Sequence, residues 1–182
     1  GKSLEELHKI QDRDSHLSAG ILFTDPSLRI PPPILDALTV HMRFEKPSQI
    51  QATSLPLILQ NKNIIAQAQS GAGKTIAFVI GMLARVNLSY NVTQALCMSP
   101  VRELVNQVIR DAIIPLSVNL PGLQTEAALP GNAPTGPVCQ AHIVVGTPGT
   151  LKRWVDDGYV RIQNISIFVV DEADHMVREK GL

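Results

Sequence analysis

Short apolar runs rich in β-branched residues alternate along this chain with stretches whose apolar positions return every third or fourth residue, which predicts strands and helices in turn. Asn63-Ile64-Ile65-Ala66, Ala95-Leu96-Cys97-Met98, Leu123 to Leu129, His142 to Val145 and Ile165 to Val170 read as strands. Between them Ile76 to Leu83 reads as a largely buried helix, Arg102 to Ile113 as a helix with Leu104, Val108 and Ala112 on one side, and Leu151 to Val155 as a short helix. Strands separated by helices imply βαβ units and a mainly parallel sheet with right-handed crossovers. Upstream the pattern is less regular. Ser3 followed by Glu6 is a capping-box pattern that predicts a short helix through His8, and Gln11 to Ala19 reads as an extended polar flank. Pro31, Pro32 and Pro33 bar a helix from running through them, so a new one is expected from Pro33 or Ile34, carrying Leu35, Leu38 and Met42. Another starts at Pro47-Ser48, and Pro56 should end it or begin the next, with Ser54 available as a cap.

Composition narrows the class. With 182 residues the chain is long enough for one α/β domain with a sizeable core. Its formal charge is zero, so no bulk basic field attracts nucleic acid, and any such contact must come from local groups. The two cysteines, Cys97 and Cys139, lack metal-ligand spacing and suit a reducing compartment. No signal-peptide pattern and no bilayer-length apolar run is apparent. The expectation is a soluble protein, cytoplasmic or nuclear, with no membrane partner.

Where the Asn63 run ends, Gln67-Ala68-Gln69-Ser70-Gly71-Ala72-Gly73-Lys74-Thr75 turns through glycines and restarts as a helix. This is the context of a phosphate-binding loop. Gly71 and Gly73 can take backbone angles closed to other residues, letting the amides of Ser70 to Thr75 converge on one anion at a helix N-terminus. Lys74 would reach the outer phosphates and Thr75 would offer a hydroxyl to Mg²⁺. A second acidic element follows the last strand, Asp171-Glu172-Ala173-Asp174. A buried parallel strand delivers such residues to its carboxyl end, where ligands bind in open sheets. Asp171 is suited to hold Mg²⁺ directly or through water, and Glu172 to orient or deprotonate a water in line with the terminal phosphate. A P-loop kinase or GTPase would share the loop, but no substrate motif of either kind accompanies it.

The Asp-Glu-Ala-Asp run with the phosphate loop resembles the DEAD-box RNA helicases, and the likeness extends from Phe23 to the end of the chain. It implies a RecA-like parallel sheet flanked by helices, with 1–43 as an N-terminal flanking segment and 44–182 as the first, ATP-binding domain, C-terminally incomplete. Phe44-Glu45-Lys46-Pro47-Ser48-Gln49-Ile50-Gln51 is similar to the family's adenine-reading motif, implying contacts from Phe44, Lys46 and Gln51. A side-chain amide offers both a donor and an acceptor to the adenine edge. Pro100-Val101-Arg102-Glu103-Leu104, Gly131-Asn132 and Thr147-Pro148-Gly149-Thr150 resemble the motifs that follow single-stranded RNA. The implied contacts are Pro100, Arg102, Gly131, Thr147, Pro148, Gly149 and Thr150, meeting sugar and phosphate and not base sequence.

The implied activity is RNA-dependent ATP hydrolysis with Mg²⁺, the catalytic groups being Lys74, Asp171 and Glu172. Its alternative is a truncated, non-catalytic module that binds RNA or a partner. The chain departs from the common pattern at Arg43 in place of Gly, Ala68 in place of the loop's first Gly, Val101 in place of Thr or Ser, Val105 in place of Ala, and Thr150 in place of Arg. Thr150, Gln67, Gly131-Asn132 and Val177 to Leu182 resemble the branch acting in messenger-RNA export, implying nuclear-pore or export factors as partners. A second RecA-like domain supplying arginines to the γ-phosphate is expected, so the chain alone should not turn over ATP usefully. In the family's sheet order, Ile64 to Ala66 and Ile167 to Val170 are not ladder partners.

Overall fold

The computed structural model describes residues 7–11 and 20–179, and of 178 and 179 the backbone only. These residues group into two compact units, one within Gly1–Ala84 together with Pro115–Asn119, the other within Arg85–Ile114 together with Leu120–Leu182.

In the first unit, β1 (Leu7–Gln11) pairs in parallel with β2 (Asn63–Gln67), Leu7 opposite Asn63 and Gln11 opposite Gln67. Leu7 and His8 thus lie in a strand and not in the short helix expected there, while Ser3, Glu6 and residues 12–19 fall outside the described residues. The reason is non-local: a parallel ladder to β2 pairs the backbone groups that face it along all five residues of this segment, which a single helical turn cannot. Helix α1 (Pro32–Asp36) starts a residue before the expected Pro33 and continues through a widened π turn over Ala37–His41. Helix α2 (Gln49–Leu59) starts from Ser48 and packs against both strands. It runs through Pro56, where a boundary was expected. Ile50, Leu55 and Ile58 bury one side of it, and the Gln60 side chain donates to the Pro56 carbonyl at 2.9 Å, so packing outweighs the lost backbone bond. Phe23, Leu28, Ile34 and Leu38 are also buried, each contributing about 1.5–3 kcal/mol by leaving water. Helix α3 (Lys74–Arg85) follows β2.

The second unit is built on a four-stranded parallel sheet of β3 (Ala95–Met98), β4 (Thr125–Ala128), β5 (Ile143–Gly146) and β6 (Ile167–Val170), in the order β4-β5-β3-β6. Helix α4 (Arg102–Val108) runs on through a π turn at Ile109–Ile113 into α5 (Ile114–Leu116), three residues beyond the expected end. Helix α6 (Pro148–Asp156) follows β5, and α7 (Ala173–Glu179) follows β6. Val144, Leu151 and Trp154 lie in one buried cluster, with Tyr159 edge-on to Trp154 at 5.1 Å between ring centres. Gly146 has no room for a side chain, since a Cβ there would sit 2.5 Å from that of Ala128. All ladders among the described residues are parallel.

Candidate functional site

The glycine-bearing loop expected to bind phosphate lies in the first unit. Strand β2 delivers Gln67 to the loop, and α3 begins at Lys74, so the turn occupies Ala68 to Gly73. Gly71 and Gly73 take φ of 80° and 92°, the left-handed region that favours glycine. The Lys74 ammonium folds back on the loop, donating to the carbonyl of Ala68 and, at 3.0 Å, to that of Gln69. Those carbonyls hold the cation where phosphate oxygens would compete for it. Ser70 and Gly71 are exposed, Ala72 is buried, and Gly73, Lys74 and Thr75 are half-buried.

The N-terminus of α2 clamps this loop. Ser48 caps the helix in a reciprocal box, its backbone N–H donating to Gln51 Oε1 at 2.9 Å while the Gln51 N–H points to Ser48 Oγ at 3.4 Å. The same two side chains then reach across: Ser48 Oγ donates to the Ala72 carbonyl at 2.7 Å, and Gln51 Nε2 to the Gly73 carbonyl at 3.1 Å. Gln51 is 6% exposed, and a Cβ on Gly73 would fall 2.4 Å from its Nε2. The sequence points Gln51 to adenine, points Ser48 to a helix start, which the structure shows, and marks neither as a tether of the loop. The Ser48-x-x-Gln51 spacing was the available signal for a capping box, though nothing local marks the bonds to Ala72 and Gly73. Phe44 and Lys46 are exposed. Arg43, before Phe44, has φ of 59°, so a side chain stands where the backbone favours glycine.

The acidic run Asp171-Glu172-Ala173-Asp174 lies in the second unit. The Asp171 N–H extends the ladder of β6 to the Met98 carbonyl at 2.9 Å, fixing this residue at the carboxyl end of the sheet. Asp171 and Glu172 are half-buried and Asp174 is exposed. Glu172 has φ of 50°, an unusual backbone for a non-glycine, and its carbonyl accepts the N–H of His175 at 3.0 Å as α7 begins. Burial first, and the Asp171 charge second, push the Cys97 thiol up to about 12, so this cysteine stays protonated and unreactive.

The stretches expected to follow RNA also lie in the second unit. Val101 occupies the N-cap of α4 and makes no side-chain cap bond, the consequence of its missing hydroxyl. Arg102 donates from Nη2 to the Pro130 carbonyl at 2.7 Å, bringing the α4 motif against the turn at Gly131, whose φ is 93°. Asn132 Nδ2 closes the turn on the Ala127 carbonyl at 2.8 Å. Thr147 caps α6 through its backbone and donates its N–H to the Ala128 carbonyl at 3.1 Å, Pro148 opening the helix. Pro100 is half-buried, Gly149 is exposed and Thr150 is buried. Arg102, Gly131 and Thr147 are therefore tied to the carboxyl end of β4 and to the residues that follow it.

The family model for the DEAD/DEAH box helicase matches residues 48–181. The DEAD-box ATP-dependent RNA helicase 38 of Arabidopsis thaliana is 43% identical over 162 residues, covering 85% of this chain and 32% of that protein. Among solved structures, a Saccharomyces cerevisiae Dbp5 variant bound to RNA and ADP BeF3 superposes with a TM-score of 0.79 at 37% identity, over 87% of this chain and 40% of that one. A Dbp5 variant bound to Nup159, a Gle1 variant, IP6 and ADP gives 0.76 at 37%, over 84% and 40%. The chain thus spans about a third of the curated relative and two fifths of the solved chains.

Proposed function

Since the chain belongs to the DEAD/DEAH box helicase family, we propose that it is the ATP-binding half of an RNA-dependent ATPase that remodels RNA or RNA–protein complexes. The observation that carries this reading is the clamped glycine loop: paired positive-φ glycines, an ammonium held by loop carbonyls, and a helix cap bonded to Ala72 and Gly73. That arrangement fits a polyphosphate. Backbone amides from Gly71 to Thr75 would hold its oxygens, Lys74 would exchange its carbonyl partners for phosphate, and Thr75 would offer its hydroxyl to Mg²⁺. In the second unit Asp171 is proposed as a Mg²⁺ ligand from its own place after β6. Bound Mg²⁺-ATP supplies an activated terminal phosphoryl group.

Phe44, Lys46 and Gln51 would favour adenine. Gln51 Nε2 holds the Gly73 carbonyl and Oε1 takes the Ser48 N–H on one lone pair. The discriminating contact would therefore be the other lone pair of Oε1 accepting from the adenine amino group, where guanine presents an oxygen. Glu172 would position the attacking water. Pro100, Arg102, Gly131 and the start of α6 from Thr147 to Thr150 would follow the RNA backbone through amides and one guanidinium, giving sequence-indifferent binding.

The relatives extend the proposal to partners. One structural neighbour is a Dbp5 bound to RNA and another a Dbp5 bound to Nup159 and Gle1. The same partner classes are proposed for the protein that contains this chain, in messenger-RNA export, together with a second RecA-like domain; 1–43 is proposed as the N-terminal flank of the first domain, 44–182. No described helix is long and apolar enough to cross a membrane, and the site of action proposed is the cytoplasm and nuclear envelope. Competition by ATP and GTP for a fluorescent adenine nucleotide tests the base assignment, with ATP expected to compete better. Equal competition would overturn the role of Gln51.

A further inference from the structure

Residues 131–137 are exposed throughout, and a cavity of 610 Å³ lies beside them, lined among others by Glu126, Thr135, Gly136 and Pro137. Packing therefore does little to fix this loop, and its hydrogen bonds must. The near end is held by Arg102 on Pro130 and by Asn132 on Ala127. The far end is held elsewhere. Thr135 approaches Tyr159 Oη twice, through its N–H at 3.4 Å and its Oγ1 at 3.2 Å. Tyr159 Oη lies 3.0 and 2.9 Å from the two carboxylate oxygens of Glu126 on β4, and Cys139 Sγ donates to Oε2 of the same group at 3.1 Å.

Proton accounting fixes the direction of this chain. The phenol donates to the Glu126 carboxylate, so both contacts from Thr135 must be donated to the phenol oxygen. Burial keeps the Tyr159 hydroxyl above the usual phenol range, so that proton remains in place. The ring cannot swing away, because it is 3% exposed and seated edge-on against Trp154, which is itself fully buried. A rigid ring bonded to a strand is thus the post to which Thr135 is tied.

We propose that Tyr159 and Glu126 are positioning residues for RNA binding, holding the 131–137 loop through Thr135 so that Gly131 and the adjoining amides keep their place beside Arg102. This rests on the reading of Gly131 and Arg102 as RNA contacts. Neither Tyr159 nor Glu126 touches RNA in this account. They act through the loop.

The test uses the full chain, a fluorescent single-stranded oligouridine, and the variants Tyr159→Phe, Thr135→Val, Thr135→Ser and Arg102→Ala. Tyr159→Phe keeps the ring against Trp154, and Thr135→Val leaves the Tyr159–Glu126 pair intact should the first variant disturb folding. RNA affinity is expected to fall about three- to tenfold in each, the size of one or two lost hydrogen bonds, with Thr135→Ser restoring most of it. Amide exchange across 130–138 should quicken in Tyr159→Phe while affinity for a fluorescent ATP analogue stays at the wild-type value. If Arg102→Ala weakens RNA binding but Tyr159→Phe and Thr135→Val bind as tightly as wild type, the positioning role is wrong and the RNA reading stands. If wild type binds no RNA, or Arg102→Ala binds it unchanged, the RNA reading fails and the positioning role goes with it.

Discussion

Replacing Gln51 by Ala should loosen the phosphate loop and destabilise the fold together. The amide makes two bonds, accepting from the Ser48 N–H at 2.9 Å and donating to the Gly73 carbonyl at 3.1 Å, and the side chain is buried. Each such bond contributes roughly 0.5–1.5 kcal/mol net, and a buried group left without its partner costs about 1–3 kcal/mol, so the loss should be about 2–3 kcal/mol. In a chain of 182 residues that is a fall in melting temperature of about 4–12 °C. Nucleotide affinity should drop about tenfold, because the Gly73 peptide is no longer held where its neighbours' amides converge. Gln51→Glu separates the two contacts: it keeps an acceptor for Ser48 but turns an oxygen towards the Gly73 carbonyl, so the cap survives and the tether does not. Thermal melts and titration with a fluorescent ATP analogue read both quantities. Wild-type melting of Gln51→Ala would show that the amide holds nothing. A lower melting point with unchanged nucleotide affinity would show that the clamp does not reach the phosphates.

Arg43 carries a left-handed backbone at φ 59°, a strain of roughly 1–2 kcal/mol for a residue with a Cβ. Arg43→Gly should relieve it and raise the urea midpoint, offset partly by glycine's greater unfolded-state entropy, and an unchanged or lower midpoint would refute the strain argument. Val101 leaves α4 without a side-chain cap, so Val101→Thr should stabilise by about 1 kcal/mol in the same assay, and no gain would mean the first-turn amides already have partners. His142 is buried with Nδ1 accepting the Gln124 N–H at 3.0 Å, and burial lowers its pKa below the usual 6.5. The folded state therefore binds fewer protons than the unfolded one. Its contribution is present above the unfolded value and is lost as pH falls through the folded one, so the urea midpoint should fall more from about pH 7.5 to about pH 5 in wild type than in His142→Gln. Equal falls would remove His142 from the account.

The strand, glycine turn and helix from β2 to α3 were legible in the sequence because their signals are local: a β-branched run, glycines at the turn and an apolar helix lie within about twenty residues of one another. The place of Asp171 at the end of the sheet was legible for the same reason, directly after the β6 run. Strand β1 was not, because Leu7 to Gln11 mixes polar and apolar residues, and its strand character comes from pairing with β2, far along the chain. Pro56 misled because its local preference for a boundary is weaker than the packing of Ile50, Leu55 and Ile58. The tie between Arg102 and Pro130 spans 28 residues and that between Tyr159 and Glu126 spans 33. No periodicity signals such contacts. They exist because β4, β5 and the segments after them are brought side by side by the sheet.

The central claim is that the loop from Ala68 to Thr75 binds the phosphates of ATP, and Lys74 is its most direct probe. In the present structure the ammonium is held by the Ala68 and Gln69 carbonyls, and a bond from it to an anionic phosphate should be worth about 1.5–3 kcal/mol. Titrating a fluorescent ATP analogue with Mg²⁺ into the wild-type chain and into Lys74→Ala should give saturable binding in the first and an affinity at least about tenfold weaker in the second. Equal affinities in the two, or no saturable binding to the wild type, would contradict the account.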